Sequence, residues 1–189
     1  DLVWVPQVMP KPKGNKQQER PRRRNASRPM LIGGALFALV GLVFFPSLRN
    51  GFVNLDDPMY VTANVPVFSG LTAENVRWAV TNLEGGMWQP LTWFSHILDS
   101  ELFGAWAGGH HLTSLLLHGI TTVLLFFALW QLTKTMWRSA CVAALFAVHP
   151  LHVETVAWVA DRKDLLGALF WTLTVLAYTR YVEELNGPQ

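Results

Sequence analysis

Cysteine is almost missing from this sequence. Cys141 is the only one in 189 residues, so no disulfide can close within the chain, and its Ala, Val and Leu neighbours give it a packing role rather than a redox one. Charge is missing from two long stretches: no ionisable residue lies between Met30 and Leu48, and only His118 interrupts Leu112 to Leu132. Eight of the fifteen Lys and Arg instead precede Met30. A soluble core gives no reason for such segregation, whereas a bilayer does. No small-residue cleavage site follows the first apolar run, which is also too long for the apolar part of a signal peptide, so it reads as a retained anchor.

A hydrocarbon core about 30 Å thick needs roughly 20 apolar residues in a helix rising about 1.5 Å per residue. Met30 to Leu48 and His111 to Leu132 meet that requirement, and Leu165 to Val182 approaches it, with Arg180 placed to snorkel. Ser139 to Val148 is shorter and reaches spanning length only by running on through His149-Pro150-Leu151-His152-Val153, so it either crosses or re-enters. The expected fold class is therefore all-α, a polytopic transmembrane bundle with spans near 30–48, 111–132, 137–153 and 165–182. Residues 1–29 form a basic, disordered tail, cytoplasmic by the positive-inside bias, and residues 183–189 a short end. Arg22, Arg23 and Arg24 abut an apolar helix, which favours membrane lipid over nucleic acid as their partner. A start at Asp1 and a stop soon after an apolar run read as a fragment of something longer.

The connection Arg49 to His110 is long enough to carry structure or function of its own. Thr72 is placed as the N-cap of one helix, with Val76, Ala79, Val80 and Leu83 on one face. Pro90 opens a second, with Leu91, Phe94, Leu98 and Leu102 along one side and Asp99 and Glu101 nearer the other. With Trp78, Trp88, Trp93 and Trp106 among them, both read as amphipathic helices at the membrane surface; a small soluble subdomain is the alternative.

Chemistry-bearing residues fall in three clusters. Asp56 and Asp57 supply adjacent carboxylates just past the first span, suited to a general base or a metal ligand, although Asp-Asp-Pro is also a good turn. His110 and His111 lead into the second span, where His111, Ser114, His118 and Thr121 or Thr122 form a polar stripe that must face protein or water. His149, His152 and Glu154 offer nitrogen and oxygen ligands for a divalent metal, with Pro150 interrupting the helix between them; no other cofactor is indicated. Arg162 and Lys163 follow, able to bind a phosphate or to pair with Asp161 and Asp164.

Read together, Phe52-Val-Asn-Leu-Asp56-Asp57-Pro-Met-Tyr60-Val61, Trp88-Gln-Pro-Leu-Thr-Trp93, Gly108-Gly-His-His-Leu112, His149-Pro-Leu-His-Val-Glu154 and Arg162-Lys-Asp164 have a family look. In order and approximate spacing they resemble the start of the membrane region of the tetratricopeptide-repeat membrane glycosyltransferases. These are bacterial relatives of the transmembrane O-mannosyltransferases that modify cadherins, within the GT-C superfamily. The resemblance covers about Met30 to Val182. It implies a cytoplasmic N-terminus, an acidic pair in the first extracytoplasmic loop, and a third segment that crosses, so that all three clusters share one face. Full members have more spans and C-terminal repeats, and no repeat of about 34 residues occurs here.

The activity implied is transfer of a sugar from a polyprenyl phosphate to a hydroxyl of a protein or glycan acceptor. It would take place at the bacterial inner membrane, or at the endoplasmic reticulum in a eukaryote. Asp57, with Asp56 beside it, would take the hydroxyl proton, and Arg162, Lys163, His110 and His111 would stabilise the departing phosphate. His149, His152 and Glu154 would support the site or hold a metal. Alone, the fragment is expected to be inactive. The rival readings are a membrane scaffold whose repeats bind protein partners, and a transporter using the His and Asp residues as a proton relay.

Overall fold

The computed structural model describes residues 27–83 and 86–185; nearly all of the basic tail and residues 186–189 lie outside them. Every regular element among the described residues is helical. Helix α1, Ser27–Phe44, buries Leu36, Val40 and Phe44 at every fourth position and leaves Met30, Leu31 and Leu42 exposed. A helix apolar on its outer face as well as its inner one has lipid as its surroundings. Pro46 has no N–H to continue it, and the chain tightens into the 3₁₀ turn Phe45–Arg49.

Helices α1, α6 (Met136–Ala147) and α8 (Arg162–Leu185) pack around α5, Ala107–Thr133. Gly119 permits close approach of α1, because a Cβ there would sit 2.8 Å from the ring of Phe37. Helix α8, Arg162–Leu185, runs parallel to α5. Arg162 at its start reaches His110 at the start of α5, and Glu183 near its end binds Gln131 and Lys134 at the far end of α5. The intervening chain therefore has to return the length of the bundle.

That return is made in two pieces, α6 at Met136–Ala147 and α7 at His152–Ala157, not as one helix over 137–153. The 12 residues of α6 rise about 18 Å, short of a hydrocarbon core of about 30 Å. Pro150, without an N–H, helps end the ladder, and the chain turns over Val148 to Leu151. His118 repairs the break: its Nε2 donates to the Ala147 carbonyl at 3.1 Å, while Phe44 and Phe146 pack against its ring. A freed carbonyl at membrane depth needs such a partner. Three helical stretches are long and apolar enough to cross, Ser27–Arg49, Ala107–Thr133 and Val159–Leu185, and the chain is an integral membrane protein.

The connection after α1 folds on itself through a π-helical turn at Pro58–Thr62, α2 at Val65–Phe68, α3 at Ala73–Thr81 and α4 at Pro90–Phe103. Thr72 caps α3 by accepting from Asn75 N at 3.1 Å, and Pro90 opens α4, both as the sequence indicates. The core of this region is Trp93, fully buried, stacked on Tyr60 at 5.0 Å and edge-on to Trp78 at 5.1 Å, with Val159 and Ala160 beside it.

Helix α4 keeps its leucine stripe on the outside, as a helix at a membrane surface does, but turns its polar side to protein rather than water. Leu91, Leu98 and Leu102 are exposed, while Thr92, Trp93, His96, Ile97, Asp99 and Ser100 face inward. In α3 Ala79 is buried, while Val80 and, past the end of the helix, Leu83 are exposed. In water the leucine stripe would turn inward; beside lipid it has no such preference, and the polar side chains take the protein interior because their partners are there.

Candidate functional site

The turn Val159–Asp161 gathers residues that are far apart in sequence. Asp57 is fully buried, and its carboxylate accepts from Val53 N at 2.6 Å and from Ala160 N at 3.0 Å, across 103 positions. It latches the loop onto the start of α8. Asp56 points differently: it is half-buried, and its carboxylate has no hydrogen-bond partner among the described residues. The acidic pair is thus split into a structural member and a free one.

Beyond the latch, Tyr60 accepts from Gln89 Nε2 at 3.0 Å. Gln89 borders a cleft of about 490 Å³ between the start of α4 and α8, lined also by Trp88, Thr92, Lys163, Leu166 and Phe170. Lys163 is partly exposed there and pairs with Asp161 at 2.6 Å. Lys163 thus borders a cleft with aromatic and aliphatic walls, a setting suited to an anionic head on an apolar tail.

Arg162 is placed quite differently from the expected phosphate ligand. It is fully buried, and its guanidinium donates to Ser95 Oγ at 2.6 Å, Ser114 Oγ at 3.1 Å, Asp99 Oδ2 at 2.8 Å and the His110 carbonyl at 2.8 Å. One side chain thereby ties α4, α5 and α8 together, a task that fits a planar fork of donors. His110 and His111 are also buried, His110 with Nε2 at 3.1 Å from the Gly104 carbonyl. Of the four residues expected at the phosphate, only Lys163 opens onto the cleft.

Among the described residues His149, His152 and Glu154 do not form a group of three ligand atoms within 4.8 Å of one another. Glu154 is exposed, His149 Nδ1 accepts from Leu151 N at 3.3 Å, and His152 packs against Phe146 and His118 with ring centroids 4.4 and 5.1 Å away. Together with Asp164, His118 and His152 border a second cavity of about 280 Å³. The turn at Pro150 keeps the His149 and His152 rings edge to face, with centroids 6.0 Å apart.

Similarity to known proteins can now be set beside this geometry. Protein O-mannosyl-transferase Tmtc2 of Drosophila melanogaster is 33% identical over 153 residues, 77% of this chain. Tmtc1 of the same organism is 31% identical over 152 residues, again 77% of the chain. The chain is a relative of the protein O-mannosyl-transferases. The human TMTC1 protein extends the similarity to 86% of the chain at 28% identity. The chain spans 16%, 18% and 20% of the lengths of these three relatives. No family model and no solved structure matches it.

In this O-mannosyl-transferase relative the sequence hides one group of polar residues altogether. Ser95, His96 and Asp99 lie on the inward face of α4, and His96 is fully buried with neither ring nitrogen hydrogen-bonded. Burial, the Arg162 guanidinium and the nearby His110 hold its pKa well below the ordinary histidine value, so it is neutral. The available signal is the His-x-x-Asp spacing, which puts both side chains on one helix face.

Proposed function

We propose that this chain is the part of a membrane glycosyltransferase that carries its base and one wall of its donor site. The donor is a sugar on a polyprenyl phosphate and the acceptor a hydroxyl of a protein or glycan, presented on the face opposite a cytoplasmic N-terminus. The carrying observation is the double tie between the acidic pair and the cleft: Asp57 to Ala160, three residues before Lys163, and Tyr60 to Gln89 on the cleft wall. These ties bring the free carboxylate of Asp56 and the ammonium of Lys163 to the same end of the bundle.

The chemistry follows from that placement. As the acceptor oxygen bonds to the anomeric carbon, Asp56 takes its proton, and the bond from that carbon to the phosphate oxygen breaks. The lipid phosphate leaves as an anion and needs positive charge more than a proton, which Lys163 provides. Trp88 and Phe170 offer apolar surface to the first units of the polyprenyl chain. Asp57 acts by position, since its oxygens are already committed to two backbone donors. The order of the pair is therefore the reverse of the one the sequence suggests.

The test is sugar transfer from a polyprenyl-phosphate donor by the full-length protein reconstituted in vesicles. Asp56→Asn is expected to lower turnover by roughly 10²–10⁴-fold, the range lost with a general base, with the folded protein intact. Lys163→Met should weaken donor use while leaving acceptor binding unchanged. Undiminished transfer by Asp56→Asn removes its role as base.

A further inference from the structure

Away from the cleft, His96 and Asp99 on α4 and His110 at the start of α5 each place one ligand-type atom within 4.8 Å of the other two. All three residues are buried, none more than 1% exposed. Their hydrogen-bonding capacity shows why something is needed between them. A carbonyl only accepts, so Nε2 of His110, 3.1 Å from the Gly104 oxygen, carries the ring proton. In the neutral ring Nδ1 is then a bare lone pair, and it faces another lone pair, Asp99 Oδ2, at 3.7 Å. Neither it nor either nitrogen of His96 has a hydrogen-bond partner.

Two acceptors face to face and unpartnered, buried imidazole nitrogens describe a place for a cation. We propose that His96, Asp99 and His110 form a divalent transition-metal site, with zinc the ion that suits two imidazoles and one carboxylate.

Tetrahedral ligands about 2.0–2.1 Å from zinc lie roughly 3.4 Å apart, so the separation of His110 from Asp99 is close to that of a formed site. Arg162 and Thr113, which hold Asp99 Oδ2 at 2.8 Å and Oδ1 at 2.6 Å, become the outer partners that orient the carboxylate. Because the ligands come from α4 of the loop and α5 of the bundle, the ion pins the reaction cleft's wall to the membrane helices. This role stands whether or not the glycosyltransferase reading does.

The experiment uses the full-length protein in detergent, stripped with a chelator and titrated with zinc against a chromophoric competitor, with bound metal counted by mass spectrometry. One zinc per chain is expected, and zinc, unlike magnesium, raises the unfolding temperature. His96→Gln and His110→Gln should weaken zinc by more than the roughly 10–100-fold that outer-shell changes cost, while His149→Gln with His152→Gln leaves it unchanged. In case the variants fail to fold, X-ray absorption on the unaltered protein counts the ligands, two imidazoles being expected. Absence of bound zinc, an undiminished affinity in folded His96→Gln, or loss only in the His149 and His152 variant overturns the site. Sugar transfer is a separate readout, so failure here and failure of the proposed reaction are distinguishable.

Discussion

Replacing Arg162 by Met removes a buried guanidinium that donates to four acceptors, only one of them charged. Two effects add. The carboxylate of Asp99, 1% exposed, is left without its counter-ion, and the His110 carbonyl loses a donor. Removing one partner of a buried ion pair costs about 3–5 kcal/mol, against roughly 0.5–1.5 kcal/mol for an ordinary neutral hydrogen bond, so the charge dominates. The expected loss in Arg162→Met is therefore about 3–5 kcal/mol, read from unfolding in mixed micelles with chelator present so that metal does not contribute. Arg162→Met combined with Asp99→Leu removes both charges and should recover most of that loss, because the desolvation penalty goes with them. Arg162→Lys keeps the charge but cannot span Ser95, Ser114 and the His110 carbonyl together, and should fall between. The reasoning fails if Arg162→Met is as stable as the parent, or if the double variant is no better than the single.

Other perturbations have equally definite outcomes. His118→Leu strips the Ala147 carbonyl of its donor at the break between α6 and α7, and should cost roughly 1–3 kcal/mol in the same unfolding assay; no loss would mean the break is satisfied otherwise. Trp93→Ala empties the fully buried centre of the loop core, with a cost of about 3–5 kcal/mol and faster proteolysis between α2 and α4. Asp57→Ala leaves two backbone donors, Val53 N and Ala160 N, without their acceptor, at roughly 1–3 kcal/mol each. Asp57→Asn, which keeps a carbonyl oxygen, should recover part of that stability. Turnover in the asparagine variant should then follow stability rather than vanish.

Much of the fold is written in local sequence. The two charge-free runs give α1 and α5, and the apolar run Leu165 to Val182 gives most of α8, because length and hydropathy decide what crosses a bilayer. Thr72 and Pro90 mark the starts of α3 and α4 because capping is a matter of a few neighbouring residues. What local pattern does not carry is which face turns inward. Leu91, Leu98 and Leu102 of α4 are as comfortable against lipid as against protein, so the apolar stripe that orients a soluble helix is silent here. Pro150 was visible as an interruption, but only the bond from His118 to Ala147 explains how a broken crossing is tolerated. The site was half legible. Asp56 and Asp57 stand out as a pair, yet the partner that separates their roles, Ala160, lies 103 residues away. Arg162 looks like a surface cation beside Lys163 until its acceptors on two other helices are known.

Cysteine labelling tests most directly whether Asp56 and Lys163 line one donor site. With Cys141→Ser as background, Asp56→Cys, Lys163→Cys and Lys134→Cys are made singly in the full-length protein and exposed in sealed, oriented vesicles to a membrane-impermeant maleimide. The first two should label from the same side and be protected by the polyprenyl-phosphate sugar. Lys134→Cys, at the opposite end of α5, should label only from the other side and without protection. Labelling of positions 56 and 163 from opposite sides, or a donor that shields neither, would contradict a shared site.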